Sequence, residues 1–315
     1  MASTSLQAAP SRRQRLKLFL ALSRTPHGLV DMAAPALAAL LCLGRFPSVM
    51  VTAVGLITVF AGYTAVYALN DLVDLRTDTA KVAAGGYEDG EDYLDGVLVR
   101  HPMAKGALSL RAGLMWTAAW SAIALLGAYW LNPICLFFFL AGCLLETLYC
   151  KLWRVTPLRS LVNGMVKTLG ALAAVFAVNP HPPALFLVLL FLWLFFWEIG
   201  GQNIPNDWTD IEEDRRFKAQ TIPLRLGLRR ASILCVASLV AVLFLNLFVW
   251  WSSPLPNQGL FLAAAVLINA MLLLKPALDL AGSRARRDAM RLFNKASYYP
   301  LALLALVLVA ILSRG

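Results

Sequence analysis

Two stretches of the chain carry the same set of side chains able to hold a cation. Residues 70–78 are Asn70, Asp71, Leu72, Val73, Asp74, Leu75, Arg76, Thr77 and Asp78. Residues 206–214 are Asn206, Asp207, Trp208, Thr209, Asp210, Ile211, Glu212, Glu213 and Asp214. Both are N-D-x-x-D-x-x-x-D, and each follows a long apolar run. On a helix, four-residue steps place Asn70, Asp74 and Asp78 on one face, and Asn206, Asp210 and Asp214 on another. Carboxylates stacked this closely repel one another unless positive charge lies between them. Mg²⁺ suits the role, because it takes oxygen ligands from one or two carboxylates together with substrate phosphates. A single such cluster could be a solvated acidic helix end. Two copies with the same spacing point instead to two metal positions around one diphosphate.

The elements that position these residues are membrane spans. The chain has 315 residues, is 59% hydrophobic and carries only 15% charged residues, against about 25% in soluble domains. Apolar stretches of spanning length recur, and nine are expected: about 28–44, 48–69, 108–131, 133–150, 158–178, 184–204, 231–251, 258–277 and 296–313. The fold class expected is all-α, a polytopic bundle of nine transmembrane helices. The net charge of +10 does not indicate a nucleic-acid partner. Most Lys and Arg residues fall in alternate connections, at 12–24, 76–111, 151–159, 215–230 and 284–295, whereas the opposite connections hold only Arg45 and Arg314. This sorting predicts a cytoplasmic N-terminus, an outside C-terminus and both Asp-rich motifs on the cytoplasmic side. Residues 1–25 are expected to be a polar tail followed by a basic amphipathic helix on the membrane surface, and 26–315 the membrane domain. An acidic, glycine-rich insert within 79–100 could be a lid or a mobile insertion.

Charged residues inside spans need a reason. Glu198 precedes Gln202, Asn206, Asp210 and Asp214 in four-residue steps, so the second motif's polar face should continue into the membrane. Tyr63 and Tyr67 lead into Asn70 and could line the facing wall. Glu146, Tyr149, Lys151 and Arg154 cluster at one span end, and Lys167 lies within the fifth span. Basic groups near two carboxylate clusters would complete a diphosphate site. For Lys151, Arg154 and above all Arg159, the competing explanation is topological charge alone. Asp31 could be an interfacial cap. His27, His101 and His181 are isolated in sequence, which argues against a histidine metal site. Cys42, Cys135, Cys143, Cys150 and Cys235 form no C-x-x-C pair and suit small core positions.

With these motifs the chain resembles the UbiA superfamily of intramembrane prenyltransferases. The first motif matches that family's N-D-x-x-D-x-x-x-D signature. Asp207, Asp210 and Asp214, followed by Lys218, Thr221, Ile222, Pro223, Leu226 and Gly227, are similar to its second motif and trailing K-T-[IL]-P…L-G. Tyr149-Cys150-Lys151 is similar to a third element near the diphosphate. One departure is His101-Pro102-Met103, where many members have R-P-L. The resemblance implies Mg²⁺-dependent transfer of a prenyl group from a prenyl diphosphate to an aromatic or lipid acceptor, releasing pyrophosphate at the cytoplasmic face. It implies metal ligation by Asn70, Asp71, Asp74, Asp78, Asp207, Asp210 and Asp214. Asn70, Tyr149, Lys151, Arg154, Glu198, Asn206 and Lys218 would bind substrate, and Asp71, Asp74, Lys151 and Asp210 would be central to catalysis. Phosphoribosyl transfer to a polyprenyl phosphate, or cyclisation of the prenyl chain, would keep the same motifs. A transporter using Glu198, Glu146 and Lys167 would place its functional charge at the midplane. A membrane scaffold would be indifferent to the loss of Asp74 or Asp210.

Overall fold

The computed structural model describes residues 11–86, 96–255 and 258–313. Among these residues there are no strands, and nine helices are long and apolar enough to cross a membrane. A surface helix, α1 (Arg12–Leu22), comes first. The spans are α2 (Thr25–Leu43), α3 (Val49–Ala83), α4 (Leu110–Leu131), α5 (Pro133–Arg154), α6 (Arg159–Val178) and α7 (Ala184–Thr209). Two short helices follow, α8 (Ile211–Arg216) and α9 (Ile222–Leu226). Spans α10 (Leu228–Trp251), α11 (Gly259–Ser283) and α12 (Arg286–Leu312) complete the chain.

Each long helix packs on its neighbour in sequence, and α2 contacts α3, α6 and α12, so the bundle closes on itself. Its outer surface is apolar, with Leu126, Phe137, Leu144, Leu185 and Leu267 exposed as expected for a surface facing lipid. The main buried apolar cluster is drawn chiefly from α7, α10, α11 and α12. There Trp193, Trp250 and Tyr299 are fully buried. The Tyr299 hydroxyl accepts hydrogen bonds from Asn246 at 2.8 Å and Trp193 at 3.2 Å, which satisfies its polar end inside the core. On the other side, α2 to α6 enclose a cavity that α7 and α12 complete.

Three local features set the site. Helix α3 does not stop near residue 69. It continues for 35 residues, about 52 Å against a hydrocarbon core of about 30 Å. The first motif is therefore the extension of a span, and residues 79–83 are helix rather than part of a loop. Residues 87–95, most of the acidic insert, lie outside the described residues. In α2 the helix is interrupted at Met32, where Pro35 has no N–H to offer the carbonyl of Asp31. In α7 the segment Glu198–Asn203 is π-helical. Pro205 withholds the bond the Gly201 carbonyl would receive, and Ile204 bonds back to Ile199 instead. Gly200 lets this segment lie close to α10, since a Cβ there would be 2.7 Å from the Ser238 Cβ.

Helix α1 has a capping box, Ser11 and Gln14 each bonding the other's backbone. Its Phe19 stacks on Trp116 of α4 with ring centroids 4.7 Å apart, and its Leu22 is buried, so α1 seats on the bundle.

Candidate functional site

The first motif lies on one continuous helix, and its faces have separate partners. Asn70 donates from Nδ2 to Glu146 Oε1 at 2.6 Å and accepts from Arg24 at 3.2 Å. Asp71 and Asp78 are buried and face His101, whose Nδ1 lies 3.2 and 3.0 Å from their oxygens. These three residues each offer a ligand atom, all within 4.8 Å of one another. His101 is therefore not isolated: the loop before α4 carries it back onto the first motif. Asp74 points toward Cys150.

The second motif is broken. The helix turns at Asp210 (φ −101, ψ 13) and restarts as α8, while Arg286 Nε holds the Thr209 carbonyl at 2.7 Å. This break ends the expected polar face after Asn206, and the π-helical segment re-aims the side chains within it. Glu198 instead accepts from Asn163, and Gln202 turns to the Phe293 carbonyl and Ser297 of α12. Asn203 donates to the Tyr149 hydroxyl at 3.1 Å. Glu198, Gln202, Asn203 and Asn206 all still line the cavity.

Lys81 and Arg159 link the motifs. Lys81, three residues beyond Asp78, reaches Glu213 at 3.3 Å and Asp214 at 4.0 Å. Arg159 is buried, pairs with Asp207 at 2.5 Å and lies over the Tyr149 ring at 4.5 Å. Here the structure departs from the expected basic residues. Lys151 and Lys218 are exposed, and neither lines the cavity. Arg154 is also exposed and rests on Trp153 and Phe217 at the rim. Arg159, the residue best explained by topology alone, is the one buried against the second motif. A usable signal was its spacing: Arg159, Asn163 and Lys167 form a four-residue polar stripe along a membrane helix.

Next to these clusters opens a cavity of about 550 Å³. It runs from Arg24, Asn70 and Asn206 at the acidic end to Phe46, Pro47 and Leu131 at the far ends of the spans. Its wall is largely apolar, with Ala, Leu, Val and Phe the most frequent apolar residues. Part-way along lies a polar belt: Lys167 donates to Asp31 at 2.5 Å and to the Tyr67 hydroxyl at 2.7 Å, and Tyr67 also bonds Asp31. Asp31 is thus the buried counter-ion of Lys167 rather than a cap.

The electrostatics favour a bound cation. Asp207 Oδ2 is buried with no hydrogen-bond partner among the described residues. Burial, reinforced by Asp207 and only partly offset by Lys81, pushes the Asp214 carboxyl up to about 8. Burial opposes charge on His101, yet Asp71 and Asp78 outweigh it and raise the imidazole to about 9. Carboxylate oxygens with amide oxygens from Asn70 and Asn206 form a donor set suited to Mg²⁺. His101 adds a positive charge against Asp71 and Asp78 that the sequence had not placed there.

The molecule is thus a helical membrane protein with two linked acidic clusters at one end of an apolar cavity. Residues 32–312 match the model of the UbiA prenyltransferase family, and the chain belongs to that family. It is accordingly a prenyltransferase. Among curated relatives it is 25% identical over 263 residues to a digeranylgeranylglyceryl phosphate synthase of Methanoregula boonei, covering 81% of this chain and 83% of that protein. It is 24% identical over 261 residues to the protein of the same name in Pyrococcus abyssi, covering 82% and 85%. A UbiA homolog from Aeropyrum pernix, solved in its apo form, superposes with a TM-score of 0.71 at 20% identity over 90% of this chain and 97% of that one. A UbiA homolog from Archaeoglobus fulgidus bound to GPP and Mg²⁺ gives 0.70 at 16% identity over 93% and 99%. These likenesses establish the fold.

Two expectations follow from the ion pairs. Arg159→Met leaves Asp207 buried without its partner and should cost about 3–5 kcal/mol. Adding Asp207→Asn should recover part of that loss in a thermal unfolding series. For pH, both raised groups bind protons more tightly when folded. Asp214 makes metal-free stability fall as pH rises from 3.8 through about 8. His101 does the same from 6.5 through about 9, its contribution being fully present below 6.5. His101→Asn should flatten the upper part of that slope in metal-free unfolding curves.

Proposed function

We propose that the protein transfers a prenyl group from a prenyl diphosphate to an acceptor hydroxyl or electron-rich aromatic carbon and releases pyrophosphate. The observation that carries this reading is the meeting of two carboxylate clusters at one end of a long apolar cavity. Curated relatives named as digeranylgeranylglyceryl phosphate synthases, and a solved relative bound to GPP and Mg²⁺, support it.

Asn70, Asp71, Asp74 and Asp78 would hold one Mg²⁺. Asp207, Asp210 and Asp214, with Asn206, would hold another. When bound, Mg²⁺ supplies the charge neutralisation that makes a diphosphate a good leaving group. Arg159 and Lys81, which pair with carboxylates of the second motif, are the cations that would hydrogen-bond the departing phosphate oxygens. Tyr149, fixed by Asn203 beneath the Arg159 guanidinium, keeps that cation aimed. The allylic C–O bond ionises, and the apolar wall excludes water that would intercept the cation. The tail lies along the cavity among Val51, Phe138 and Leu169. Lys151, Arg154 and Lys218 sit at the rim, where they steer an incoming diphosphate. The sorting of basic residues supports a cytoplasmic N-terminus and catalysis at that face.

The test is product analysis by mass spectrometry on purified protein in lipid with geranylgeranyl diphosphate, Mg²⁺ and a panel of glyceryl-lipid and phenolic acceptors. Wild type should form a prenylated acceptor. Asp74→Ala and Asp210→Ala should each cut turnover at least about 100-fold while keeping expression and thermal stability. Full activity in either variant, or a cyclised hydrocarbon in place of a prenylated acceptor, would refute the assignment.

A further inference from the structure

Below the acidic clusters, the cavity wall holds a buried carboxylate with one oxygen left unbonded among the described residues. Glu198 is 2% exposed and lines the cavity. Its Oε1 accepts from Asn163 Nδ2 at 2.6 Å. Its Oε2 has no hydrogen-bond partner among the described residues. A buried carboxylate oxygen left without a donor is costly, so the site is complete only when a ligand brings one.

The surrounding charges restrict what that donor can be. Lys167, Asp31 and Glu146 are the charged groups acting on Glu198, and Lys167 already serves Asp31 and Tyr67. The other basic residues on the cavity wall also face carboxylates: Arg24 lies 3.5 Å from Asp71, and His27 lies 3.7 Å from Asp31. A carboxylate or phosphate at this depth would meet Glu198 and Glu146 with every cation committed. A neutral hydroxyl fits. Glu198 is two helical turns from Asn206, on the order of 10 Å deeper. That places it on the tail side of the diphosphate cradle, with room between for the reacting carbon and an acceptor oxygen.

We propose that Glu198 is the acceptor-side catalytic base and that the acceptor is a lipid alcohol, uncharged at the level of its nucleophile. This rests on the prenyl-transfer reading above. The acceptor oxygen bonds to prenyl C1 as the C1–O bond to the diphosphate breaks. The electron pair of that bond leaves with pyrophosphate, and the hydroxyl proton passes to Glu198 Oε2. One O–H and one C–O bond break, and one C–O and one carboxylic O–H bond form. The product is a prenyl ether.

The test uses the full chain in lipid with geranylgeranyl diphosphate, Mg²⁺ and either 1-O-hexadecylglycerol or 4-hydroxybenzoate. Wild type should make the ether. Glu198→Gln keeps the shape and the bond from Asn163, and should lower kcat for ether formation about 10²- to 10⁴-fold. Its KM for the diphosphate should stay within about twofold of wild type, whereas a merely structural role would raise that constant as well. Glu198→Asp, which keeps a carboxylate, should recover part of the rate. Ether formation at the wild-type rate in Glu198→Gln overturns the proposal. So does prenylation of 4-hydroxybenzoate with no ether, which leaves the prenyl-transfer reading standing. A diphosphate left intact with both acceptors sinks that reading itself.

Discussion

The site depends on the repulsion between carboxylates gathered at the end of a low-dielectric cavity. Charges a few ångströms apart interact far more strongly there than in water. Six motif aspartates converge, and the chain offsets them with a few well-placed cations. Arg159 answers Asp207, Lys81 answers Glu213 and Asp214, Arg24 answers Asp71, and His101 lies between Asp71 and Asp78. These partners do not exhaust the negative charge. Asp207 Oδ2 stays unbonded and Asp214 is driven to hold a proton. A protein that keeps such a cluster is built for cations that arrive with substrate.

Helix α6 transmits this arrangement into the membrane. Its polar stripe bonds a different partner at each turn: Arg159 with Asp207, Asn163 with Glu198, and Lys167 with Asp31 and Tyr67. The acidic end and the deeper belt are therefore parts of one network spread over α2, α3, α6 and α7. The packed aromatic core among α7, α10, α11 and α12 leaves the other half of the bundle free to be hollow. The π-helical segment of α7 joins the two halves. It turns Gln202 to α12 and Asn203 to Tyr149, so one helix face serves both the core and the cavity.

The spans and the two motifs were legible because they are local. Apolar length marks a membrane helix, and a repeated carboxylate spacing marks a cation site. The expected spans 108–131, 133–150 and 158–178 differ from α4, α5 and α6 by a few residues at their ends. What could not be read was set by contacts between distant segments. His101 is far from Asp71 in sequence, and only the return of the loop before α4 brings them together. Arg159 looks like any basic residue at a span end until α7 places Asp207 against it. Lys151 and Lys218 lie in the motifs that carry the family resemblance and Arg154 lies close by, yet the chain leaves all three exposed. The four-residue count through Glu198 failed at Pro205 and Asp210, where the helix changes pitch and then breaks. A proline one turn ahead of a glycine pair, Gly200 and Gly201, was the local warning.

The central claim is that the acidic clusters are short of positive charge until divalent cations bind. The most direct measurement is the thermal unfolding midpoint of the protein in lipid, titrated with Mg²⁺ in the presence of a non-hydrolysable prenyl diphosphate analogue. Na⁺ at matched ionic strength is the control. The account predicts a saturable rise in the midpoint with Mg²⁺, absent with Na⁺ and lost in an Asp74→Asn/Asp210→Asn double variant. An unchanged midpoint across the Mg²⁺ titration, or an equal rise in the double variant, would contradict it.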